Sequence, residues 1–123
     1  MRKHINKVFV GYTMHELAIA RELLNMVKET CGGKIPLRVY CRLGVMTTYK
    51  REPLVFYFNE LKGDSAASAE LVVTEVDGVL QCDDCNTSAR VSDPYDMFCQ
   101  ACGSGNTRII EGKDLVIERI EVE

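Results

Sequence analysis

The segment "QCDDCNTSARVSDPYDMFCQACGSGN", residues 81–106, constrains the chain most, because it holds Cys82-x-x-Cys85 and Cys99-x-x-Cys102. Each pair predicts a tight turn that aims two sulfurs at one point. Asn86 and Gly103 follow the pairs, and both residue types tolerate positive φ. Two such turns joined by a 13-residue link predict a tetrahedral cage with Cys82, Cys85, Cys99 and Cys102 as ligands. Zinc is the expected ion, with iron or a redox dithiol pair as the alternatives. Four thiolates leave no open position for water, so a zinc held this way is structural rather than hydrolytic. The segment is short of aliphatic residues, and metal binding would supply the stability that an apolar core cannot.

The flanking sequence has a different character. In "TMHELAIARELL", Thr13-Met14-His15-Glu16 fits a capping box, with Thr13 accepting from the Glu16 N–H and the Glu16 carboxylate reaching back. Leu17, Ala20, Leu23, Leu24 and Val27 follow at helical spacing, and Gly32 supplies a left-handed stop. These signals predict a helix over roughly 14–31. "PLRVYCRLG" alternates as a half-buried strand. "EPLVFYFNELKG" places Leu54, Phe58 and Leu61 on one helical face, with Pro53 in the first turn. "GDSAASA" reads as a loop, and "ELVVTEV" and "DLVIERIEVE" as two further strands. The expected architecture is α+β: two helices packed on a three-stranded sheet, with an inserted four-cysteine zinc-ribbon unit. Residues 14–76 form the main domain, 77–108 the zinc-binding insert, and 109–123 return to complete the sheet.

Composition narrows the function classes. A chain of 123 residues is one domain, or one small domain with a smaller unit attached. No apolar run approaches the roughly 18 residues of a membrane span, and "VFVGY" is too short for a signal-peptide core. A cytoplasmic location with no membrane partner is the expectation. The net charge of −3, scattered basic residues and the acidic Asp83-Asp84 beside the sulfur cage argue against nucleic acid. Six cysteines without an export signal read as reduced thiols. Cys41 falls in the apolar phase of a strand, and Cys31 at a helix C-terminus where the dipole disfavours a thiolate. Neither reads as reactive. No catalytic triad, phosphate loop or paired-carboxylate arrangement stands out, so the chain does not read as an enzyme.

Taken alone, Met14-His15-Glu16 is a helix start with an exposed histidine. Taken together, "MHELAIARELL", "RVYCRLG", "PLVFYFNELKGDSAASAELVVTEV", the paired CxxC motifs and the short closing strand resemble the HypA/HybF family from Met14 to about Val122. These are nickel-insertion accessory proteins for NiFe hydrogenase, in some bacteria also for urease. The resemblance implies that Cys82, Cys85, Cys99 and Cys102 hold zinc and that His15 binds nickel cargo with neighbouring backbone nitrogens. It implies a weaker contribution to nickel from Glu16. The implied partners are the nickel-handling GTPase HypB and a hydrogenase large-subunit precursor, with the protein a monomer or homodimer. In the family the Met-His-Glu motif opens the chain and its terminal amine is available to nickel. Here thirteen residues precede it. The favoured expectation is that Met14 is the true start. The competing one keeps residues 1–13 as a real extension, in which "INKVFVGY" adds a strand and His4 supplies a substitute ligand. Two rival functions stand beside the chaperone: a structural zinc-ribbon interaction module that leaves His15 idle, and a thiol redox protein using one CxxC pair.

Overall fold

The computed structural model describes residues 2–10 and 15–123. In chain order the elements are β1 (Arg2–Val10), α1 (Glu16–Cys31), β2 (Pro36–Gly44) and α2 (Arg51–Leu61). A single 3₁₀ turn (Asp64–Ala66) then leads to β3 (Glu70–Val76), β4 (Gly78–Cys82), β5 (Ser88–Val91), β6 (Thr107–Glu111) and β7 (Asp114–Val122). The strands form two sheets: a four-stranded one in the order β1-β7-β2-β3, and a three-stranded one in the order β5-β4-β6. The three strands expected in the main sheet are β2, β3 and β7. β1 adds a fourth along the outer edge of β7.

The main sheet follows from side-chain alternation. Val39, Cys41 and Leu43 of β2, Leu71 and Val73 of β3, and Leu115 and Ile117 of β7 point inward. They meet Ile19, Ala20, Leu23, Leu24 and Val27 of α1, and Leu54 and Phe58 of α2. Ile19 takes the central place in α1, whereas Leu17 is only half-buried. Leu61 is the last residue of α2 and stays 38 % exposed, so the apolar face of that helix ends at Phe58.

β7 breaks its own alternation, burying Leu115 and Ile117 and then Ile120 and Val122. The register accommodates this: Ile117 faces Cys41 and Arg119 faces Tyr40, leaving Glu118 as the extra residue of a bulge. The bulge lets both apolar pairs reach the core. The opposite face is polar, with Arg38 paired to Glu121 at 3.1 Å and Arg42 to Glu118 at 3.5 Å.

The two sheets meet where the chain leaves and re-enters the main domain. β6 carries the chain in the small sheet as far as Glu111 rather than position 108, because Arg108–Glu111 pair with β4. Gly112 then crosses back at φ +77. Its carbonyl accepts the Met46 N–H at 3.0 Å, and Val76 accepts that of Val45 at 2.9 Å. A Cβ on Gly44 would lie 2.1 Å from the Gly112 oxygen, and one on Gly78 would lie 2.3 Å from the Met46 side chain. The crossing is close enough that only glycine fits at these points.

Phe58 of α2 is fully buried in the main core. Phe58→Ala is expected to cost about 3–5 kcal/mol, read as a lower urea midpoint at unchanged slope. A loss below about 1 kcal/mol would mean that α2 does not close the core.

Candidate metal centres

Two turns of the same construction bring the four cysteines together. In the first, the Cys82 N–H donates to the Thr87 carbonyl at 2.9 Å, and the Asn86 N–H to the Cys82 carbonyl at 3.0 Å. In the second, the Cys99 N–H donates to Ser104 at 2.9 Å, and the Gly103 N–H to Cys99 at 2.8 Å. Asn86 and Gly103 adopt positive φ, 62° and 77°, as their position after each pair predicts. Cross-links then hold one turn against the other. The Asp84 carboxylate accepts from the Ser104 hydroxyl and from Asn106 Nδ2, and Arg108 reaches Asp83 at 3.2 Å. Asp83 and Asp84 thus brace the turns, a role their spacing in the sequence does not announce.

The four sulfurs all lie within 4.8 Å of one another. Cys82 and Cys102 are 3.7 Å apart, and Cys85 and Cys99 are 3.6 Å apart. Tetrahedral coordination with zinc–sulfur bonds of about 2.3 Å separates its sulfurs by about 3.8 Å, so the arrangement fits. The electrostatics also call for a cation. The Thr87 hydroxyl and amide, and then the Cys99 sulfur, pull the Cys85 thiol down to about 6. The Ser104 amide pulls Cys102 the same way, but desolvation and the three neighbouring sulfurs push it up to about 12. Cys85 thus favours the thiolate while Cys102 resists it, and a bound metal ion removes that conflict. Cys31 and Cys41 lie elsewhere, both buried. Burial pushes Cys41 up to about 12 and raises Cys31 against the nearby Lys3, which fits unreactive thiols.

His15 stands at the mouth of α1. It is the N-cap, extended at φ −89° and ψ 160°, with its carbonyl accepting the Ile19 N–H at 3.1 Å. Its side chain is exposed and makes no capping hydrogen bond. The expected capping box rests on Thr13, which with Met14 lies outside the described residues. Among the described residues the Glu16 carboxylate accepts the Lys50 N–H at 2.8 Å. Lys50 is the N-cap of α2. A carboxylate on an N-cap N–H is what the third helical residue usually provides, but in α2 that residue is Pro53. Glu16 supplies it from the neighbouring helix. His4 is placed at the other end of the molecule. It faces Arg119, and the adjacent Lys3 bonds to Thr30 at the far end of α1, so His4 does not join His15.

The comparisons with known proteins agree with this arrangement. The family model described as "Hydrogenase/urease nickel incorporation, metallochaperone, hypA" matches residues 14–122. The chain belongs to the HypA family. The hydrogenase maturation factor HypA of Moorella thermoacetica is 36 % identical over 114 residues, spanning 89 % of this chain and 100 % of its own. That of Aquifex aeolicus is 31 % identical, spanning 89 % and 98 %. The solution structure of the Ni metallochaperone HypA from Helicobacter pylori superimposes with a TM-score of 0.61 at 20 % identity, over 89 % of this chain and 97 % of that one. HypA proteins are maturation factors rather than catalysts, and this chain is accordingly not an enzyme. Among the described residues no helix is long and apolar enough to cross a membrane.

Two predictions follow from the geometry. A strong chelator should release one metal ion per chain and expose the amides of β4–β6 to hydrogen exchange, while those of β2 and β7 stay protected. Simultaneous loss in both sheets would show that the main domain does not stand without the metal. Glu16→Gln keeps an acceptor for the Lys50 N–H and should preserve its protection, whereas Glu16→Ala should lose about fivefold, in line with a cap worth about 1 kcal/mol. Equal behaviour of the two variants would remove the cap role.

Proposed function

We propose that this protein is a cytoplasmic nickel metallochaperone with a structural zinc site. The observation that carries the reading is His15: an exposed imidazole on an extended N-cap, with no capping bond to compete for its nitrogens. Imidazole suits Ni(II), and an anchored imidazole helps the metal displace adjacent amide protons to form a tetragonal nitrogen site. Glu16, engaged with Lys50, contributes to nickel more weakly. A delivery protein needs a site that takes up and hands on its ion, and the open end of a helix provides that access.

The four sulfurs hold zinc. A closed site of this kind fixes structure, and here it stabilises the small sheet that the chain traverses before β7. The family's function supports the GTPase HypB as the partner that exchanges nickel with this chain, and a hydrogenase large-subunit precursor as the recipient. Urease maturation is the other client the family name carries.

The test is a calorimetric nickel titration of the zinc-loaded protein in two forms, the full chain and one starting at Met14, each beside its His15→Ala variant. The expected result is His15-dependent binding in the shorter form and binding at least tenfold weaker in the full chain, where Met14 offers a peptide nitrogen in place of an amine. Affinity should fall in mild acid, because the ligands must lose protons to bind. Absence of His15-dependent binding in both forms would overturn the nickel reading and leave a zinc-ribbon interaction module.

A further inference from the structure

Residues 2–10 lie outside the span the family model matches. Yet they form a complete strand of the main sheet, antiparallel to β7 from Arg2 opposite Glu121 to Val10 opposite Asp114. The fit is electrostatic as well as geometric. β1 carries Arg2, Lys3 and Lys7 and no acid, while β7 carries Asp114, Glu118 and Glu121 against the single base Arg119. Arg2 adds to the groups that hold the Glu121 carboxyl below its usual range, after the Tyr40 hydroxyl and Arg38. Lys3 Nζ donates to the Thr30 carbonyl at 2.6 Å, putting a cation on the negative end of α1. Ile5 packs against the main core.

β1 shifts register between His4 and Lys7, where Ile5 and Asn6 together oppose Glu118. The strand therefore reproduces the irregularity of β7 rather than simply lying along it. Without β1, the outer edge of β7 would present a row of unpaired backbone groups, which is a template for an added strand. The strand carries Asp114, Glu118 and Glu121, the last two also paired with Arg42 and Arg38 of β2.

We propose that the outer edge of β7 is a docking site for a basic extended strand, that β1 is its resident occupant, and that β1 of a second copy takes the edge when the resident strand lifts away. A segment that matches the edge in cis by charge, register and bulge matches it identically in trans. The intramolecular strand wins under ordinary conditions, because its tether gives it an effective concentration in the millimolar range.

The test needs no nickel, so its outcome is separate from that of the metal reading. A protease site placed between Val10 and Met14 allows β1 to be cut from the folded, zinc-loaded chain and removed. A fluorescent peptide of residues 2–10 then stands for the second copy's strand. The cut protein should bind it at least tenfold more tightly than a peptide with glutamate at positions 2, 3 and 7, and less tightly at 500 mM salt than at 50 mM. The uncut chain should take up the peptide at least a hundredfold more weakly than the cut one. Should the cut protein unfold, Val8→Pro in the uncut chain weakens the resident strand without removing it, and should raise peptide uptake at least tenfold. Equal binding of the basic and acidic peptides, or uptake that neither cutting nor Val8→Pro increases, would overturn the proposal.

Discussion

The last strand of the chain is an inner strand of the main sheet, and the rest of the architecture answers to that constraint. β7 bonds to β2 on one side and β1 on the other. Its side chains Leu115, Ile117, Ile120 and Val122 are all buried. Everything between β3 and β7 must therefore return to where it left. The small sheet does so through one crossing, in which Gly44, Gly78 and Gly112 let three backbone segments touch. A metal-bound unit suits such an excursion. It gains its stability from a point of coordination rather than from an apolar core, and it makes little demand on the main domain.

The same logic explains why two acids stand beside a negatively charged sulfur cage. A metal ion held by the four sulfurs would not by itself set the orientation of one turn against the other. Asp84 crosses between them to Ser104 and Asn106, and those donors hold its carboxyl below the usual range. It is exposed, so its contribution lies in orientation more than in energy. An acid at that position keeps its charge at neutral pH and does not compete for the metal, because its oxygens are already engaged.

How far the sequence reveals this structure depends on the range of each interaction. The cysteine turns were legible because four residues of backbone determine them, and Asn86 and Gly103 mark the required left-handed conformation. The core faces of the helices and strands were legible because burial repeats along each element. The neighbours of β7 were not, since pairing with β1 joins opposite ends of the chain and nothing local in "RKHINKVFV" names its partner. Glu16 shows the same limit at a single residue. Its position three residues after Thr13 fits a local cap, but the Lys50 N–H, 34 residues away, belongs to a helix whose own third residue is Pro53 and has no carboxylate to offer. The Glu16 carboxylate serves this tertiary donor, which no local pattern announces. A nickel role for His15 is suggested only by the resemblance of the whole chain, because an exposed histidine at a helix start carries no signal of its own.

These two long-range contacts meet at the candidate nickel site. The backbone that carries His15 is joined on one side to Val10, paired in the sheet, and on the other to Glu16, tied to the start of α2. A chain that began at Met14 would have a free end at this point, with an amine to offer a metal. In this chain Val10 on one side of His15 and Glu16 on the other are both held by contacts elsewhere in the fold. Releasing β1 from the edge of β7 would relax one of those anchors without touching the other. The strand that occupies the sheet edge and the residue proposed to bind the cargo are thus close neighbours in sequence, one ending at Val10 and the other opening α1.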